Sequence, residues 1–197
     1  MDALVVLILL LPLTAAAVIG IGHVFGILRG VADEAVTARI ASWAITLSCL
    51  LALALLGADL LGKNTGSFSA GRWLGSDSLS IKVNFITTGF NVGLAALFSI
   101  LLVIVTRFSI NYLHKEPGFY RFFFVLSLFS SAMLLLVLSG NAVGTFVGWE
   151  IAGLCSYLLI AYAYDRPIAA INATRVFVTN RIGDAGSEVL DGIQAEA

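Results

Sequence analysis

Glu150 is the residue whose type and position first suggest chemistry. It stands inside TFVGWEIAGLCSYLLIAYAY, an otherwise apolar run. A carboxylate at the centre of a membrane-length segment costs about 2.5–3.5 kcal/mol or more, so it persists only where protein or water serves it. Desolvation pushes such a group towards its neutral form and a nearby cation holds it charged, so a small rearrangement loads or releases a proton. Two readings follow: a proton-carrying group in transport, or a structural glutamate that is protonated or bonded to an amide. Further on, Arg181 and Asp184 lie three residues apart on one helix face, where an intrahelical ion pair is the plain explanation. Within reach of Glu150 the same pair would tune its charge. Arg175 reads either as a supporting charge or as a side chain snorkelling to the interface.

No other pattern offers conventional catalysis. The sequence holds no glycine-rich phosphate loop, no HExxH, no Ser/His/Asp set in a plausible context and no haem or iron–sulfur ligation spacing. The expectation is no catalytic residue, no bound cofactor and no metal site, with ion handling as the chemistry that remains. Cys49 and Cys155 both sit in apolar runs and read as buried free thiols. His114, beside Lys115 and Glu116, reads as a solvated side chain, and His23 as a structural residue near the end of the first apolar run.

The elements that must position Glu150 follow from composition. Of 197 residues, 59% are hydrophobic and 12% charged, and the mean hydropathy is +1.00. A water-soluble core of this size cannot hide so much apolar surface, and the chain falls in the membrane class. A net charge of −1 gives no reason to expect a nucleic-acid partner.

A spanning helix needs about 20 mostly apolar residues. Five stretches meet that requirement, at about 3–28, 40–58, 83–105, 119–138 and 142–164, and a partial sixth at 168–190 is too polar to insert alone. The fold class is therefore all-α, a polytopic transmembrane helical bundle forming a single membrane domain over 1–197. Residues 59–82, rich in Gly and Ser, read as an extramembrane loop that could hold a short hairpin, and 187–197 as a frayed tail. Asn84 and Asn91 are expected to bond neighbouring helices from the third span. Glu150 lies eight residues into the fifth span, about 12 Å at 1.5 Å per residue and close to the bilayer midplane. Gly140, Gly144 and Gly148 repeat every fourth residue on that segment and would let another helix approach, although Gly140 could simply serve the turn.

The first run follows Met-Asp without a basic leader or small-residue cleavage site and reads as a retained span. Arg29, Arg39, Arg107, Lys115, Arg121, Arg166 and Arg175 fall in or beside one set of connections, against Lys63, Arg72 and Lys82 on the other side. The positive-inside bias then makes the first set cytoplasmic and the N-terminus periplasmic, in a bacterial inner membrane or its organelle equivalent.

Residues 120–184, YRFFFVLSLFSSAMLLLVLSGNAVGTFVGWEIAGLCSYLLIAYAYDRPIAAINATRVFVTNRIGD, resemble the N-terminal part of the antiporter-like subunit L, or chain 5, of proton-pumping NADH-quinone oxidoreductase. GWE, GLCSYLLI, the DRP turn and NRIGD stand in the family's order and spacing, and LSIK and NYLHKEPGFYRFF extend the likeness back to about residue 78. The resemblance implies a proton channel built from two inverted helical halves. It makes Glu150 similar to the glutamate facing a buried lysine of later helices, and Arg181 and Asp184 similar to the next helix's charged pair. Trp149 and Gly148 then pack the site. It also implies a non-catalytic subunit whose partners are the other membrane subunits of a multisubunit complex and protons, with quinone and NADH reached only through those partners. Thr106 departs from the pattern, standing where many members have His. Members are much longer, and the lysine and second half of the pattern are not among these 197 residues, which points to a fragment, a truncated product or a small paralogue completed by another subunit. The alternatives are a multisubunit cation/proton antiporter subunit, an inorganic-carbon uptake partner, and a non-transporting structural membrane protein.

Overall fold

A computed structural model describes residues 2–28, 33–63, 66–76, 79–116 and 118–195, with the side chains of residues 2, 72–76, 79–81 and 186–195 outside the description. Arg29 and Pro117, and the side chains of Arg72 and Glu188, therefore lie outside it, as do the last two residues of the expected tail. The described residues form six α-helices and one antiparallel β-hairpin: α1 (Asp2–Val24), α2 (Glu34–Leu60), β1 (Ser67–Ser76), β2 (Leu79–Ile86), α3 (Gly89–Tyr112), α4 (Phe119–Leu138), α5 (Ala142–Ile160) and α6 (Pro167–Ala195). Five helices are long and apolar enough to cross a membrane, α1 to α4 and the stretch Ala142–Ala163 that begins with α5. This is the helical transmembrane bundle that composition predicts. Two compact units are distinguished, Met1–Ala152 and Gly153–Ala197.

In the first unit α4 is the central helix, the most buried of the five spans. It packs on α1, α2 and α3. It is therefore a packing helix rather than a lipid-facing one. The core gathers Val5, Ile8, Leu9, Ala52, Leu55, Val92, Ala95, Leu134 and Leu138. Large apolar side chains on the outer faces of α1, α2 and α3, among them Val18, Leu50 and Ile104, are exposed, as lipid-facing positions are.

Pro12 explains two of the polar contacts inside this core. Proline has no N–H to give the carbonyl four residues back, and its ring crowds that turn. The orphaned acceptor is the Ile8 carbonyl, and Ser48 of α2 donates its hydroxyl to it at 2.7 Å. Ser131 of α4 donates to the adjacent Leu9 carbonyl at 2.9 Å. With no water in the bilayer core, neighbouring helices must serve the groups that proline frees. Ser48→Ala is expected to destabilise the protein by about 0.6–1.7 kcal/mol, the range of interhelical hydrogen bonds in membranes. In a Pro12→Ala background the loss shrinks, because the substituted residue again has an N–H to give the Ile8 carbonyl. Unfolding in mixed micelles over the double-mutant cycle reads that coupling directly.

The third span begins later than hydropathy suggests. Residues 83–86 belong to β2, and α3 starts at Gly89. LSIKVNFI alternates apolar and polar residues over most of its length, the strand period, so the apolar run that looks continuous with the span is one face of a strand. The 59–82 region accordingly contains most of a hairpin. Its register pairs Ser67 with Ile86, Phe68 with Phe85 and Ser69 with Asn84, then shifts around Gly71, whose φ of 119° only glycine adopts without strain. Asn84 sits on β2 and not in a span, whereas Asn91 on α3 donates to the Val137 carbonyl of α4 at 2.7 Å, the inter-helix role expected of it.

In the second unit the chain leaves α5 through a 3-10 turn, Ala161–Ala163, and re-enters a helix at Pro167. Proline suits that first position because its missing N–H would go unused there. Tyr157 and Phe177 pack with ring centres 5.2 Å apart and planes tilted by 51°, closing α5's end and α6 into a hairpin. The backbone of α6 stays helical to Ala195.

Candidate functional site

The position of Glu150 is set by how α5 begins. Asn141 caps the helix, its Oδ1 accepting from the Gly144 N–H at 2.8 Å, and asparagine side chains serve the orphan donors of a first turn in this way. The same side chain donates through Nδ2 to the Lys82 carbonyl of β2. Gly140 donates its N–H to the Asn84 carbonyl at 2.7 Å. Phe85 and Ser139 form a further antiparallel bridge. The hairpin therefore clamps the α4–α5 turn and fixes where α5 starts.

The three glycines of the fifth segment serve three different neighbours. A Cβ on Gly140 would lie 3.2 Å from backbone atoms of Asn84, and one on Gly144 would collide with the Ser139 hydroxyl. On Gly148 it would lie 2.7 Å from the Leu136 nitrogen and 2.9 Å from its Cα. Of the three, Gly148 alone carries a helix–helix approach, with α4. Glu150 follows two residues later, about 200° round the helix at 100° per residue, so it faces away from that contact. Its side chain is half-buried and Trp149 beside it is exposed.

Arg181 and Asp184 belong to the second unit, where the structure brings them together. Their side chains approach to 3.9 Å, and the Arg181 guanidinium lies 5.3 Å from the centre of the Phe177 ring. The pair is intrahelical. Arg175 is exposed and stands about 180° round the helix from Asp184, so it does not join them. Among the described residues no cluster of three or more His, Cys, Asp or Glu side chains could hold a metal ion.

One side-chain contact was not legible from sequence. Glu34, the first residue of α2, is buried, and its Oε2 lies 3.0 Å from His114 Nδ1. It also accepts the Lys115 N–H at 3.3 Å. His114 is partly solvated, but it is tied to Glu34 rather than loose. Lys115 has φ 65°, an uncommon conformation for a residue with a side chain. An acidic residue in the first turn is ordinary helix chemistry, so nothing local marks Glu34; its partners lie 80 residues on. Glu34→Ala is expected to cost about 0.5–1.5 kcal/mol, the net worth of an ordinary intramolecular hydrogen bond, because the donors on His114 and Lys115 can turn to water. Unfolding in micelles measures it, and Glu34→Gln, which keeps an acceptor, should recover part of the loss. At Thr106 the hydroxyl donates to Leu102's carbonyl at 2.7 Å, so the side chain serves its own helix.

Two sequence profiles match the chain. Residues 73–123 match the NADH-ubiquinone oxidoreductase (complex I) chain 5 N-terminus, and residues 139–186 match the transmembrane region shared by NADH:quinone oxidoreductase and Mrp antiporter. The second match contains Glu150, Arg175, Arg181 and Asp184. The chain is 35% identical over 184 residues to NAD(P)H-quinone oxidoreductase chain 5 of Synechocystis sp., covering 91% of this chain and 26% of that protein. It is 33% identical over 181 residues to the chloroplastic subunit 5 of Zygnema circumcarinatum, covering 90% and 25%. It is 40% identical over 114 residues to that of Physcomitrium patens, covering 58% and 16%. The chain spans about a quarter of the length of the first two. With five apolar helices and both matches in chain order, this integral membrane protein belongs to the antiporter-like chain 5 family of NAD(P)H-quinone oxidoreductases and corresponds to the N-terminal portion of its members.

Proposed function

We propose that the chain acts as a proton-translocating membrane subunit of a quinone-reducing complex, with Glu150 as a group that takes up and releases the proton. The observation that supports this reading is a half-buried carboxylate eight residues into the fifth apolar helix, which is clamped at its start by Asn141 and pressed to α4 at Gly148. A group that must gain and lose a proton needs a fixed position and a polarity set by movable neighbours. In this proposal Arg181 and Asp184, paired with each other within α6, are further charged members of the relay. Trp149 and Gly148 hold the local packing, and Arg175 contributes charge near the interface.

In this proposal the 197 residues form one membrane domain that works beside other membrane subunits of a multisubunit complex. The electron donor and quinone act through those partners. The positive-inside bias of the connections supports an N-terminus on the periplasmic side or its organelle equivalent. Inverted vesicles from cells with and without the chain test the function as a whole: acidification per quinone reduced should fall when the chain is removed and return on complementation. An unchanged ratio would end this reading.

A second reading is supported by the profile that also describes Mrp antiporters. It predicts proton flux driven by a sodium gradient with no quinone turnover, whereas the primary reading predicts none.

A further inference from the structure

The joint between the hairpin and α5 turns on one side chain. Gly140 gives its N–H to the Asn84 carbonyl at 2.7 Å, and Ser139 bridges Phe85, so the chain leaving α4 pairs briefly with β2. The carbonyls of Lys82 and Asn84 lie two residues apart and point from one edge of that strand. At Ala142 the backbone turns into α5, so the donor for the second carbonyl comes from a side chain. Asn141 supplies it, giving an Nδ2 hydrogen to the Lys82 carbonyl.

The other half of the same amide starts the helix. Asn141 Oδ1 accepts the Gly144 N–H at 2.8 Å, while its main-chain carbonyl accepts the Thr145 N–H at 3.1 Å and the Thr145 hydroxyl at 3.0 Å. A Cβ on Gly144 would stand 3.0 Å from Oδ1, so glycine leaves the amide room to lie over the first turn. One planar group thus joins a strand to a helix. Its chemistry is specific to asparagine at this reach: an ionised aspartate only accepts, and serine has a single oxygen for both tasks.

Building on the transport role proposed above for Glu150, we propose that Asn141 is a positioning residue for proton transfer there. Its amide fixes how α5 is turned about its own axis, and with it the carboxylate nine residues on. The helix is held at two points, this joint and the close approach of Gly148 to Leu136. Beside the joint lies an apolar cleft of about 270 Å³, lined by Val83, Phe85, Leu135, Val143 and Val147, so no side chain wedges the start of α5 on that flank. Side chains reach about 5–6 Å from a helix axis, and a turn of about 10° therefore carries the Glu150 carboxyl about 1 Å.

The test separates the cap from the joint, in the intact host complex. Asn141→Ser keeps an oxygen for the Gly144 N–H, since serine caps helices as well as asparagine does, but leaves the Lys82 carbonyl unserved. Asn141→Asp also keeps the cap, suits the positive end of the helix, and sets a carboxylate against that carbonyl; it carries the test if the serine variant fails to assemble. Proton flux should fall by about tenfold to a hundredfold in both, the scale of a displacement near 1 Å. In the infrared difference spectrum the protonated-carboxyl band of Glu150, identified by its absence from Glu150→Gln, should shift in frequency in Asn141→Ser. A residue that only starts the helix would leave that band in place. Unchanged flux in both variants, or a lower flux with the Glu150 band unmoved, would overturn the proposal. Absence of the band from the unsubstituted complex would overturn the proton-carrying role of Glu150 itself, so the two failures are told apart.

Discussion

Glu150→Gln is expected to slow proton flux through the host complex by about a hundredfold, the low end of what a positioned proton-transfer group contributes. Glutamine keeps the size and hydrogen-bonding reach of the side chain and removes only its ability to exchange a proton. Glu150→Asp keeps the proton chemistry and shortens the reach, so it should retain part of the flux. Glu150→Ala should match the glutamine variant in flux. If the residue were a structural glutamate bonded to an amide, glutamine would instead be the mildest of the three and aspartate among the more damaging. The order of the three variants therefore separates transport from support, and stopped-flow proton uptake in vesicles reads it.

The second large effect is expected at Gly148. Alanine there places a methyl carbon 2.7 Å from the Leu136 nitrogen and 2.9 Å from its Cα, both backbone atoms of α4 that cannot rotate away. The helices must separate, and forcing a methyl into a closed contact costs about 1–3 kcal/mol. Since α5 carries Glu150 two residues on, a shift of the helix by a fraction of an ångström moves the carboxylate too. Misplacement by about 1 Å can cost on the order of a hundredfold in a positioned step. Gly148→Ala should therefore lower both stability in micelles and proton flux. Gly153→Ala is the control: nothing described lies within 4 Å of a Cβ there, and the swap should stabilise the helix by up to about 1 kcal/mol.

The helical bundle was legible because spanning helices announce themselves by length and composition. Phe119–Leu138 begins and ends where the apolar run does, since Gly118 and the Ser139 turn punctuate both sides. The third span was misplaced because Val83 and Phe85 extend its apolar run backwards, while alternation over eight residues is a weaker signal than hydropathy over twenty. The glycine spacing of the fifth segment was visible, but not its use. A repeat of every fourth residue says only that one side of a helix is small; whether a strand backbone, a serine or another helix fills the space depends on contacts distant in sequence. The serine bonds to Ile8 and Leu9 are equally non-local, although Pro12 does announce that some donor must come. Arg181 and Asp184 could be paired from spacing alone, because three residues on one helix fix their proximity. Glu34 and His114 could not, because the turn holding Lys115 at positive φ brings them together.

The central claim is that Glu150 changes protonation during turnover. The most direct measurement is the infrared difference spectrum of the host complex between its oxidised and quinone-reducing states, compared with that of the Glu150→Gln variant. A protonated-carboxyl stretching band should appear or disappear with turnover and be missing from the variant. A difference spectrum whose carboxyl region is the same in both proteins would contradict it.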